Sequence, residues 1–190
     1  NYLIKISDRE LGEMESHRAN SLLAFVTEVE RIGDYAINVT ERAAEMRDKE
    51  LTFSDQAQRE LQMLGDAIGE IIDLTVQAMH SGDAATAAQV EPLEETVDTI
   101  CETLRTRHIQ RLKDGKCQLE SGIIFLDVLT NLERISDHCS NIAARLLGME
   151  SDSELDPHAL KKAMHNGNTK GYDDALNQYR KKYSQVLAEG

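Results

Sequence analysis

Glu30, Asp34 and Asn38 stand at i, i+4 and i+8 of one helical run, and Glu133, Asp137 and Asn141 repeat the arrangement in another. At about 100° per residue, each set lines up one turn apart within roughly 80° of arc. Val26, Gly33 and Ile37 border the first line, and Leu126, Leu129 and Leu147 flank the second. This spacing predicts that Glu30 lies at the edge of a buried arc. Carboxylates so placed repel one another and lose hydration, which calls for positive charge. Arg31 and Arg134 project about 100° from their own stripes, so they are not expected to supply it.

A third acidic line, Glu91, Glu94 and Asp98, precedes the second motif and borders Val90, Val97 and Cys101. Glu94-x-x-x-Asp98 facing Glu133-x-x-x-Asp137 is an arrangement that holds metal ions between the helices of a bundle. Donors that are all carboxylate or amide oxygen suit magnesium, calcium, manganese or iron better than structural zinc. The chain has no Glu-x-x-His, no glycine-rich phosphate loop and no Gly-x-Ser-x-Gly. The reading is therefore of binding rather than catalysis, and no catalytic residue is assigned. A hydrolytic carboxylate-bridged metalloenzyme and a bundle that recognises a partner without metal are the readings from other classes.

The elements that must carry these residues are helices. The motif Glu-Arg-Ile-x-Asp-x-x-x-Asn occurs twice at an offset of 103 residues, the distance of a duplicated small helical domain. Leu22, Val26, Val29, Gly33 and Ile37 suggest the buried face of a helix over about 16–49. Ser54 is the expected N-cap of the next, whose Leu64, Ile68, Ile71 and Thr75 keep helical spacing up to a stop and restart at Ser81-Gly82-Asp83. A third helix is expected over 84–112, with Pro92 either kinking it or marking its true start. The second motif helix is expected over 120–147, closed by Gly148. Asp156-Pro157 opens a short tail helix, and a last one starts near Tyr172 with a stripe of Leu176, Tyr179, Tyr183 and Val186.

A formal charge of −13 and a pI near 4.9 argue against nucleic acid as a partner and for cations or basic surfaces. Aromatics make up only 4 % and tryptophan is absent, a composition of helix packed on helix. No run approaches the roughly 20 apolar residues of a membrane span, so direct membrane insertion by these residues is not expected. Cys101, Cys117 and Cys139 match no zinc spacing and suit a reducing compartment. His138 is expected to be exposed. Tyr2-Leu3-Ile4-Lys5-Ile6 reads as the end of a helix whose beginning lies upstream.

The doubled Glu-Arg-Ile-x-Asp-x-x-x-Asn, together with Glu94-Glu95-Thr96-Val97-Asp98, resembles the PhoU family of phosphate-uptake regulators. The tail, with Asp156-Pro157-His158 and Tyr179-Arg180-Lys181-Lys182-Tyr183, is similar to the end of the PhoU-like cytoplasmic domain of bacterial sodium/phosphate cotransporters. The resemblance implies an all-α fold of two three-helix-bundle repeats: an incomplete first repeat over 1–49, a complete second over 50–148, and a linker with C-terminal helices over 149–190. It further implies that iron, zinc or other divalent or trivalent ions bind Glu94, Asp98, Glu133, Asp137 and Asn141, with Glu30, Asp34 and Asn38 forming a first site left incomplete. The implied setting is the cytoplasmic face of the membrane, with the transporter portion of the same polypeptide as partner and a homodimer as a further option. A free-standing PhoU-type regulator is the alternative.

Overall fold

The computed structural model describes residues 12–150 and 171–183, and every regular element among them is a helix. The elements are α1 (Glu13–Asp48), α2 (Asp55–Ser81), α3 (Ala84–Ala87), α4 (Val90–Lys113), α5 (Leu119–Glu150) and α6 (Tyr172–Lys182). The fold is all-α.

Local chemistry sets most of the helix ends. Ser54 accepts from the Ala57 N–H at 3.3 Å and starts α2. Gly82, with φ 65°, ends α2 in the left-handed conformation that glycine adopts without a Cβ penalty. Asp83 then caps α3 through the N–H groups of Ala85 and Thr86. Pro92 lies in the first turn of α4, where no intrahelical donor is lost, so the proline marks the start of a new helix rather than a kink. The expected single helix over 84–112 is accordingly broken at 88–89. Gly148 does not cap α5, which continues to Glu150. The expected short helix near Asp156 lies outside the described residues.

Leu64, Ile71, Leu93, Ile100, Leu104, Phe125 and Leu129 are fully excluded from solvent at the junction of α2, α4 and α5. Burial of each such side chain is worth about 1.5–3 kcal/mol. Gly122 lets α4 approach α5 closely, since a Cβ there would meet His108 Nε2 and Leu112 Cδ2 at 2.9 Å each. α6 lies on α4, where Tyr172 donates to Glu95, packs its buried Tyr172 and Leu176 against Leu147 of α5, and reaches α2 where Lys182 and Tyr183 hold Glu70 at 2.6 and 2.5 Å.

α1 packs along α5, and the contacts obey the sequence offset. Tyr35 stacks on its counterpart His138 with ring centroids 5.5 Å apart. Asn38 donates to Asn131 Oδ1 at 2.9 Å, while Asn141 donates to Glu28 Oε2 at 3.3 Å. Residues 28 and 131, like 38 and 141, differ by 103. The two motif helices thus meet about a local two-fold through the Tyr35–His138 pair. His138 is not exposed as expected: its Nδ1 lies 2.6 Å from Glu28 Oε2.

The predicted buried face of α1 is corrected by the fold. Leu22, Val26, Val29 and Ile37 are 46, 47, 50 and 57 % exposed. The face turned to α5 is instead Phe25, Ile32, Tyr35 and Asn38. α1 carries apolar residues on two faces, and periodicity alone cannot say which one a neighbour covers.

Beneath Phe125 a buried ion pair joins α2 to α4: Arg111 donates to both oxygens of Glu60, at 3.0 and 2.7 Å. Glu60→Leu leaves the Arg111 charge uncompensated, and urea denaturation should show a loss of about 3–5 kcal/mol; a change under 1 kcal/mol would refute the role. Beside this pair, burial first and the Arg111 charge second push the His108 imidazole below its usual pKa. Its charged form is disfavoured in the fold, so stability is complete above the unfolded value of about 6.5 and declines as pH falls below it. Melting scans between pH 8 and 5 should show this decline, and His108→Gln should flatten it.

Candidate metal centre

α4 and α5 bring the second acidic set together. The carboxylate oxygens of Glu94, Asp98 and Asp137 lie within 4.8 Å of one another, the one group of three or more potential metal ligands found among the described residues. Glu94 is 6 % exposed, Asp137 is half-buried and Asp98 is open to solvent. Helical spacing sets Glu94 and Asp98 on one line of α4, and Thr96, Val97 and Ile100 on the adjoining face anchor that helix in the core.

Glu133, the fourth expected ligand, is pulled aside. Arg105 of α4 donates to its Oε2 at 2.7 Å, and the guanidinium pKa rises with that bond. Arg134 reaches Asp137 Oδ2 at 3.2 Å, contrary to the expectation that it points away. An i, i+3 pair on a helix is close enough for long side chains to bridge the angular gap. Four acids and two guanidinium groups therefore share the site. A groove of about 580 Å³ runs beside it, lined by Glu94, Asp98, Glu102, Arg105 and Glu133.

Cys101 lies under the cluster. Burial chiefly, and then the negative field of Glu133, Asp98 and Asp137, push its thiol far above the usual range. Glu91, 3 % exposed, accepts the Ser140 hydroxyl of α5, an inter-helix bond that its place in the acidic line did not reveal.

The remaining expected ligands stand elsewhere. Glu30 and Asp34 are exposed on α1 and belong to no acidic cluster among the described residues. The expectation that Glu30 sits at the edge of a buried arc fails with the face it was based on. Asn38 and Asn141 turn their amides into the α1–α5 contact. Sequence reasoning missed Arg105, whose only signal was a basic residue one turn beyond Cys101 on α4.

A family model described as the PhoU domain matches residues 61–146. The chain belongs to the PhoU family. It is 20 % identical to the phosphate-specific transport system accessory protein PhoU homolog 1 of Thermotoga maritima over 71 % of this chain and 57 % of that protein. A PhoU homolog of Streptococcus pneumoniae, serotype 4, is 23 % identical over 72 % of this chain and 62 % of its own length. The chain thus spans a little over half of these relatives. It is also 22 % identical to a putative inorganic phosphate export protein of Salmonella typhimurium, over 80 % of this chain and 28 % of that protein. No solved structure matches the chain. No described helix is long and apolar enough to cross a membrane.

The thiols give a direct check on the packing around the cluster. Cys101 and Cys139 are buried, the latter with its pKa pushed up to about 11 by burial, whereas Cys117 is half-buried. At pH 8 a maleimide should modify Cys117 alone in the folded protein, and all three only in denaturant. Rapid reaction of Cys101 would mean that α4 and α5 do not close over it.

Proposed function

We propose that this chain is a PhoU-type regulator of phosphate transport, acting on the cytoplasmic side, whose activity depends on a cation held between α4 and α5. The observation that carries the reading is the convergence of Glu94, Asp98 and Asp137 in a chain of the PhoU family. The donor set fits the group: oxygen ligands from two helices, one buried, with two arginines offsetting part of the charge. Glu94, Asp98 and Asp137 would hold the ion, which would compensate their repulsion and tie α4 to α5. Glu133 would join them on leaving Arg105. Magnesium, calcium, manganese and iron suit these ligands, and zinc suits them less. The role is binding and regulation, without a catalytic step.

The names of the Thermotoga and Streptococcus relatives favour an accessory protein that acts on a separate phosphate transport system. A second reading, a regulatory domain within a phosphate-transporting polypeptide, draws on the putative phosphate export protein, of which the chain matches a minor share.

The test is calorimetric titration with Mn²⁺ alongside elemental analysis. Glu94→Gln with Asp98→Asn and Asp137→Asn should weaken Mn²⁺ binding at least tenfold while leaving the helical circular dichroism intact. Equal affinity in wild type and triple variant would discard the metal site. In cells lacking the native protein, phosphate uptake should be misregulated, and the triple variant should fail to restore control; full restoration would separate regulation from the acids.

A further inference from the structure

Glu94 and Asp98 stand four residues apart on α4, and both carboxylates reach the cluster. Glu133 and Asp137 have the same spacing on α5, yet only Asp137 arrives. The difference between the two pairs is Arg105, whose Nη2 donates to Glu133 Oε2 at 2.7 Å. Arg134 also bonds an acid, Asp137 at 3.2 Å, but leaves it within the cluster. Arg105 stands eleven residues beyond Glu94, about 20° around α4 and so on the same line. Helical side chains lean toward the N-terminus, which brings its guanidinium back toward the acids.

This ion pair can open. Its two side chains are 34 and 30 % exposed, so parting them returns both to water and strands no buried charge. Glu102, three residues before Arg105, lines the adjoining groove and offers the guanidinium a second carboxylate.

We infer that Arg105 is an internal cation that competes with the metal for Glu133, so that loading the site exchanges a guanidinium for a divalent ion and passes Arg105 to the groove. The inference rests on the cation-binding reading above and names the residue that sets affinity and selectivity there. Ion charge then decides entry. A monovalent ion brings no more charge than the guanidinium it replaces and lacks its directed hydrogen bond. A divalent ion brings more, and gains Glu133 as a further oxygen ligand.

The test is a double-mutant cycle on Mn²⁺ affinity by calorimetric titration, with Arg105→Gln, Glu133→Gln and the two combined. Arg105→Gln removes the competitor, and Mn²⁺ should bind about fivefold more tightly or better, the scale of one part-exposed ion pair. Arg105→Met, with a different neutral side chain, should give the same gain, and helical circular dichroism should be unchanged in both. The gain should vanish when Glu133→Gln is added, because the freed carboxylate is its source. An affinity in Arg105→Gln equal to or weaker than wild type overturns the role of Arg105, while wild-type binding that depends on Glu94, Asp98 and Asp137 keeps the site itself. A gain of the same size in the double variant makes Arg105 a distant charge only and overturns the competition for Glu133. Absence of Mn²⁺ binding in wild type and Arg105→Gln alike removes the site and this role together.

Discussion

α5 is the helix on which everything else is set, because it must satisfy neighbours on two sides at once. Toward α2 and α4 it presents Phe125, Leu129, Ile135 and Cys139, and toward α1 it presents Asn131, His138 and Asn141. The first face is apolar and contributes to the core. The second is polar and specific, joined by a ring stack and by amide and carboxylate hydrogen bonds that require one register. Asp137 emerges between these faces, which is how an acid comes to lie within reach of the core-anchored Glu94.

The electrostatics of the cluster follow from that placement. Packing α4 against α5 forces carboxylates together, and Arg105 and Arg134 are drawn in against them. Exposed pairs of this sort contribute little to stability. Their effect is to hold Glu133 and Asp137 in position, while the buried Cys101 thiol registers the negative field below. Elsewhere the fold treats acids differently. Glu60 is fully engaged by Arg111, and Glu70 and Glu95 are engaged by α6 through Lys182, Tyr183, Arg180 and Tyr172. The tail helix thus docks by neutralising the acidic outer surfaces of α2 and α4.

Much of this was legible along the chain. Ser54, Gly82 and Asp83 announced helix ends, because capping depends on atoms within a few residues. The apolar spacing of Leu64, Ile68, Ile71 and Thr75 selected the buried side of α2, since its opposite face is polar. The convergence of Glu94, Asp98 and Asp137 was readable from i, i+4 geometry on adjacent helices. The burial of α1 was misread, since both of its candidate faces are apolar and only a neighbour distinguishes them. The Arg105–Glu133 bond joins residues 28 apart, and nothing local foretold that these two side chains meet.

What the amino-acid order determined by itself was the long helices, the duplication and the acidic character of the motif faces, all properties of short-range geometry and composition. Tertiary structure alone decided which duplicate lies under cover, because burial belongs to pairs of helices and not to one. It also decided that Tyr35 meets His138 and that Glu133 answers to Arg105, contacts that exist only once α1, α4 and α5 share a common volume.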